Sequence, residues 1–252
     1  MWEGEVEKGK GGKLSYTDLP VDTETIASMI ESIGKDYEKV NHFISFFQDD
    51  RARQIGLRKI GIDQGVGLEL GSGPGNFTCM LRPRVKGFLV CLDFSDRLLR
   101  VGRSRINEPG VGYIRGVFES LPFREGMISI AATAYALRDS TDKPRVLREI
   151  NAVLRDGGRL LLIDVGKPNN PVYEGFLSIY MRHVVPIIGG LVANRGYLNP
   201  WTYLYKTYEL LPVNWRLQGM LEKWIGRANV EEIFFGGLVV AIAEKKNSEK
   251  GQ

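Results

Sequence analysis

The sequence predicts an α/β protein: a seven-stranded, mostly parallel sheet with helices on both faces, an antiparallel C-terminal hairpin and a helical lid. Three observations predict it. From Val66 onward, short continuous apolar runs alternate with helix-patterned segments, as expected of strands buried on both faces. A glycine-rich turn, "LELGSGPGNF", follows the first run, and an aspartate ends the second. After Lys167 the alternation stops, and the chain closes on two apolar runs, "VEEIFFGGLVVAIAEKK", hinged at Gly236-Gly237.

Residues 22–62 read as helical, with apolar side chains at 26, 29, 30 and 33 and again at 40, 43, 44 and 47. "VGLELG" is the first strand, and the glycine turn leads into the helix "NFTCMLRPR". "GFLVCLDFS" is the second strand; its helix, "SDRLLRVGRSRI", has Ser95 as N-cap. "VGYIRG" and "MISIAATAYA" are the third and fourth strands. "TDKPRVLREINAVL" is a helix capped by Thr141 and ended by Gly157-Gly158, and "GRLLLIDVG" is the fifth strand. Helices at about 171–188, 199–211 and 214–225 form the lid insertion (168–226), and the hairpin supplies the last two strands. Residues 19–244 are expected to form one domain, with N-terminal helices at 19–62 and flexible tails at 1–18 and 245–252.

Composition narrows the function. Lys+Arg of 34 against Asp+Glu of 30 leaves +4, too mild to argue for nucleic acid by itself, though it suits an anionic membrane surface. Cys79 and Cys91 have neither metal nor disulfide spacing, which fits a reducing cytoplasm and predicts no metal site. No run reaches the roughly 18 uninterrupted apolar residues of a spanning helix.

Gly71, Gly73 and Gly75 let the backbone turn sharply and approach a ligand without an intervening Cβ. The crevice at the carboxyl ends of parallel strands is where such sheets bind ligands. Asp93 ends the second strand, where a carboxylate accepts hydrogen bonds from both ribose hydroxyls. A dinucleotide fingerprint wants glycine at Asn76, and a phosphate loop wants Gly-Lys-Ser/Thr; both are missing. What remains, G-x-G-x-G after the acidic Glu69, resembles the Rossmann-like class I S-adenosylmethionine-dependent methyltransferases. That resemblance implies S-adenosyl-L-methionine as cofactor.

Further segments are more specific. "VFESLPF", "ALRDSTDKPRVLREINAVLRDGGRLLLIDVGKP" and "YMRHVVPIIGGLVANRGYLNPWTYL" resemble the ubiquinone/menaquinone biosynthesis C-methyltransferases, from about Tyr37 to Ala243. Departures from that pattern mark a divergent member. Y-D-x-M-N becomes "YEKVN", the nearby His and Trp fall at Asp49 and Ala52, and L-R-N ends in Asp139. E-F-S becomes Asp164, Val165 and Gly166, and Val117 replaces a polar residue expected beside the adenine.

The resemblance implies methyl transfer to a ring carbon of a prenylated quinol. Its cofactor set comprises Glu69, Gly71, Ser72, Gly73, Gly75, Asp93, Phe94, Ser95, Phe118, Glu119 and Tyr37, with backbone groups near Phe118 and Glu119 holding the adenine. The catalytic candidates are Arg138, Asp139 and His183. Arg138 stays charged at ordinary pH, so it serves to stabilise a phenolate or hold a proton-carrying water, unless it only fixes the strand end. Asp139 is either a base or the partner of a nearby cation, and the second is favoured because the family has a neutral residue there. His183 titrates in a useful range, yet a lone histidine on a helix more often serves packing. Asn41, Tyr135, Tyr180 and Asn194 are the substrate-binding candidates. The aromatics Trp201, Tyr203, Tyr205, Tyr208, Trp215 and Trp224 make either the lid's own core or a greasy channel at a membrane interface. The partners expected are a small lipid substrate and peripheral contact with a membrane, with no nucleic acid; a homodimer is compatible. Two rival readings are a methyltransferase of the same fold for another small lipid or metabolite, and an inactive cofactor-binding scaffold.

Overall fold

The computed structural model describes residues 23–33, 36–196 and 199–247. The tail expected at 1–18, and residues 248–252 of the one expected at 245–252, lie outside them. Residue 245 is no tail: Lys245 ends the last strand and donates from Nζ to the carbonyls of Asn151 and Leu154, both at 2.7 Å.

Seven strands form one sheet: β1 (Gly67–Leu70), β2 (Leu89–Asp93), β3 (Val111–Arg115), β4 (Ile128–Ala134), β5 (Leu154–Val165), β6 (Gly226–Ile233) and β7 (Leu238–Lys245). Their order is β3-β2-β1-β4-β5-β7-β6. The first five run parallel, while β7 is antiparallel to both β5 and β6. Strand order reverses between β1 and β4, which opens a crevice at their carboxyl ends.

Alternate side chains of each strand supply opposite faces. Leu160 and Leu162 of β5, with Val239 and Ala241 of β7, join the core formed with α6 (Lys143–Val153) and α10 (Asn214–Trp224). Leu161, Ile163, Leu238 and Val240 join the other core, against α3 (Gln48–Ile60) and α4 (Asn76–Leu81). α5 (Asp96–Arg105) follows β2, and Ser95 caps it by accepting from the Leu98 N–H at 3.1 Å.

Four boundaries differ from expectation, each for a local reason. The helical stretch at 22–62 is three helices, α1 (Thr23–Ile33), α2 (Tyr37–Ile44) and α3, and α2 gives way to α3 where Phe46 and Phe47 adopt left-handed φ values of 51° and 60°. Phenylalanine rarely takes that conformation, so nothing in the pattern announced the break. The cap of α6 is Asp142 rather than Thr141: its carboxylate accepts from Arg145 N–H at 3.0 Å and puts Pro144 in the first turn. That helix ends at Val153, and Gly157, at φ 66°, turns the chain inside the irregular start of β5.

The fourth difference is the lid. α7 (Pro171–Ile179), a π-helical turn (Tyr180–Val184) and α8 (Val185–Val192) form one stretch that runs through the expected stop at 188. Gly189 and Gly190 are packing residues there. A Cβ on Gly189 would lie 2.8 Å from Trp201, and one on Gly190 2.9 Å from two backbone carbonyls. Pro171–Val192 is thereby long and apolar enough, by length and composition, to cross a membrane, contrary to the expectation from the sequence. The expected helix 199–211 begins as a 3-10 turn, Pro200–Tyr203, before α9 (Leu204–Glu209). Trp201 and Tyr208 pack with Val40, Met181 and Val185 as the lid's own core, and Tyr203 is buried beside them.

Candidate active site

The glycine turn folds as its residues require. Gly71, Gly73 and Gly75 have φ of 71°, 52° and 87°, all in the left-handed region that favours glycine. Each then does something different. A Cβ on Gly71 would sit 2.4 Å from that of Ala136, so this glycine lets the turn lie against the end of β4. One on Gly75 would meet Gly102 of α5 at 3.3 Å. Around Gly73 there is open space, so here the backbone itself faces a cavity.

That cavity sits at the reversal of strand order. Gly71, Ser72, Gly73, Asp93, Phe94, Phe118 and Glu119, all expected to hold cofactor, line it. The Asp93 carboxylate accepts from Gly73 N–H at 2.8 Å and Ser95 N–H at 2.9 Å, tying the two strand ends together. Burial raises its pKa and these bonds oppose the rise. Each oxygen keeps a lone pair for a ligand hydroxyl. The Glu119 carbonyl is already engaged by Arg145 Nε at 2.8 Å, and its carboxylate accepts from Ser140.

Three expected cofactor residues sit elsewhere. Glu69 lies behind the turn, fully buried beside Cys91, and burial pushes its pKa up to about 8. Ser95 spends its hydroxyl on Leu98 N–H and Glu31. Gly75 packs on α5 rather than lining the cavity. The side chain of Tyr37 is outside the described residues.

One charged residue of the cavity had no sequence signal. Arg53 reaches in from α3, buried, with Nη1 3.2 Å from Asp49 and 2.7 Å from Asp50, and its guanidinium stacked 5.2 Å over the Tyr135 ring. Its Nε and the Ser72 hydroxyl are buried without a hydrogen-bond partner among the described residues. Buried polar atoms of this kind call for a ligand. An α-amino acid head group offers a carboxylate for one and a hydrogen-bonding partner for the other, and Asp93 suits a ribose. The cavity therefore fits S-adenosylmethionine.

A second, more apolar cavity lies beside the first. Asn41, Ile44, Asp49, Arg138, Leu177 and Tyr180 are among its walls, and Tyr135 lines both cavities. Tyr135 ends β4 with a left-handed φ of 60°, held by its N–H to Ile163 O at 2.8 Å and its hydroxyl to Asp49 O at 3.1 Å. Strain of this sort concentrates where a fold must aim a side chain. Tyr180 donates to Ile44 O at 2.8 Å, and burial pushes its pKa up to about 12.

Arg138 occupies the short turn after β4. Its backbone N–H donates to Asp164 Oδ2 at 2.9 Å, its Nη1 to Asp164 Oδ1 at 3.3 Å, and its Nε is 3.5 Å from Asp139. Two of this chain's departures thus grip one guanidinium. Asp139 lines the cofactor cavity, and burial pushes its pKa up to about 6 against the pull of Arg138. Lys143 closes the turn with Nζ 2.8 Å from Ser140 O.

Two candidates fall away from both cavities. His183 is solvent-exposed on the π-helical turn and lines neither. Asn194, at φ 51°, terminates α8 on the surface. A side chain on a helix follows its packed face, and here the face carrying Met181 and Val185 points inward.

Known proteins carry the same pattern. The model of the ubiE/COQ5 methyltransferase family matches residues 19–245. The chain is 30% identical over 236 residues to the demethylmenaquinone methyltransferase of Lactococcus lactis, covering 91% of this chain and 92% of that protein. It is 29% identical over 219 residues to the ubiquinone/menaquinone biosynthesis C-methyltransferase UbiE of Hahella chejuensis, covering 83% and 87%. In shape it is similar to a SAM-dependent methyltransferase of Thermotoga maritima, with TM-score 0.63, 19% identity, and coverage of 88% of this chain and 100% of that one. At that identity the likeness speaks for the fold. The chain belongs to the ubiE/COQ5 methyltransferase family and is an S-adenosylmethionine-dependent methyltransferase.

Proposed function

We propose that the enzyme methylates a ring carbon of a prenylated quinol in menaquinone- or ubiquinone-type biosynthesis, working at the cytoplasmic surface of a membrane. One observation carries the reading: the cofactor cavity and a more apolar second cavity share the wall formed by Tyr135, with Arg138 lining the more apolar one. The names of the Lactococcus and Hahella relatives support a quinone precursor as substrate.

S-adenosylmethionine, when bound, supplies the electrophilic methyl group. Arg53, Ser72, Gly73 and Asp93 bind and orient it, which matters because in-line displacement gains much of its rate from positioning. A quinol carbon becomes nucleophilic as its neighbouring hydroxyl turns towards phenolate. Arg138, itself buried and clamped by Asp164 and Asp139, stabilises that oxyanion. Methylation at that carbon would displace its own hydrogen as a proton while the phenolic oxygen recovers its own, so one proton must leave per methyl group transferred. Asp49 is a poor acceptor, since His42, Ser45 and Arg53 already occupy its oxygens. Asp139, which lines the cofactor cavity beside Arg138 and whose carboxyl burial pushes up to about 6, is assigned as the acceptor.

The test is turnover of a short-tailed hydroquinone lacking one ring methyl, with methyl-labelled cofactor. A ring C-methylated product is expected. Tight cofactor binding without transfer to any quinol overturns the substrate class.

A further inference from the structure

The apolar surface that surrounds the second cavity is unusually bare. Only 28% of the most apolar window of Pro171–Val192 is buried. Its inner edge, Met181 and Val185, packs with Val40 and Trp201, so the helix cannot leave the domain to span a bilayer without dismantling the lid core. Its outer edge exposes Phe176 by 70%, Ile179 by 61% and Leu191 by 78%, values of free side chains.

Two aromatic turns extend the same face. Phe46 and Phe47, and Phe234 and Phe235, all hold left-handed φ values and are exposed. The rings are continuous: Phe46 lies 6.2 Å from Tyr180 and 6.0 Å from Phe234, and Phe235 lies 5.5 Å from Tyr173. The second cavity's walls, Ile44, Leu177, Tyr180 and Phe234, come from these very segments. Charge agrees. Glu174, the one acid in Pro171–Val192, is half-buried near the Tyr208 hydroxyl, while Arg182 and His183 are exposed.

We propose that this face docks the protein onto one leaflet of an anionic lipid bilayer, with Pro171–Val192 lying in the interface plane. An apolar helix whose exposed charges are Arg182 and His183, and whose one acid is half-buried, is what such a surface holds. A prenyl tail then passes from the acyl layer into the second cavity without crossing water. The face differs from the Trp201–Trp224 segment expected from the sequence, where the lid core takes Trp201, Tyr205 and Tyr208, Trp224 packs on the core beneath α10, and Trp215 is exposed. This inference rests on the prenyl-quinol reading of the second cavity.

The test is flotation of the full chain with phosphatidylglycerol–phosphatidylcholine vesicles, comparing wild type with the triple variant Phe176→Ser, Leu191→Ser, Phe235→Ser. None of these three lines either of the two cavities. The wild type is expected to float, and the variant to lose about tenfold or more in binding, because three exposed apolar anchors are gone. The variant should also lose its rate on a long-tailed quinol in vesicles but keep its rate on a short-tailed one in solution. A wild type that stays in solution, or a variant that binds vesicles equally, overturns the proposal. So does light scattering that finds a lipid-free dimer broken by the variant, because the face then belongs to a second copy. If neither quinol is methylated, the substrate reading fails while flotation still decides the docking.

Discussion

Arg138 is the residue on which substrate chemistry converges, and its surroundings say how to test it. Removing the guanidinium leaves Asp164 as an unpaired buried charge, which costs about 3–5 kcal/mol, so an alanine variant mixes stability with function. Arg138→Lys keeps the charge but not the fork; it should lower kcat by about 10²-fold with cofactor affinity unchanged. Stopped-flow cofactor titration beside steady-state kinetics separates the two. Asp139 gives a pH signature. A base must be ionised, so kcat should rise as pH climbs through about 6; Asp139→Asn should flatten that rise and cut the rate about a hundredfold. Glu69 gives a stability signature. Its folded pKa is raised to about 8, so its favourable contribution is complete below the ordinary carboxylate range and is lost as pH rises towards 8. Relative to Glu69→Gln, the wild type should therefore weaken by ~1.4 kcal/mol per pH unit across that window. Urea melts at several pH values check this, and unchanged cofactor affinity in the variant at pH 7 places Glu69 outside the binding set.

At the scale of elements, the glycine turn was legible because its demand is written in residue type: three positive φ values and an acid at the next strand end. What each glycine does was not legible, since it depends on neighbours far along the chain. Gly71→Ala should collide with Ala136 and destabilise the fold, whereas Gly73→Ala should cost only about 1 kcal/mol in backbone strain but weaken cofactor binding. Thermal melts and cofactor titrations of the pair distinguish them. The parallel strands were equally readable, because continuous apolar runs have one home in a parallel sheet, whereas β6 begins at Gly226, four residues before the run that announced it. The turn at Phe46-Phe47 and the passage of the lid helix through Gly189-Gly190 were hidden. Both break local propensity for tertiary reasons, the latter because Trp201 fills the space a side chain would need. Arg53 was missed for a related reason: α3 carries it across to a cavity whose other walls lie 18 or more residues downstream, apart from Ile30 in α1.

At the scale of the molecule, one sheet divides the labour. Its reversal point holds the cofactor cavity, and the lid laid across its carboxyl end completes the second cavity with Tyr135 between them. His183 and Asn194 carried the right chemistry on the wrong face of that lid, which only its packing reveals. The central claim is that the methyl group passes from one cavity to a quinol carbon held in the other. Its most direct test is incubation of the enzyme with methyl-labelled S-adenosylmethionine and a membrane lipid extract, followed by fragmentation of the labelled lipid. The account predicts label in the quinone ring fragment, bonded to carbon. Label bonded to oxygen, or confined to a lipid without a quinone ring, would contradict it.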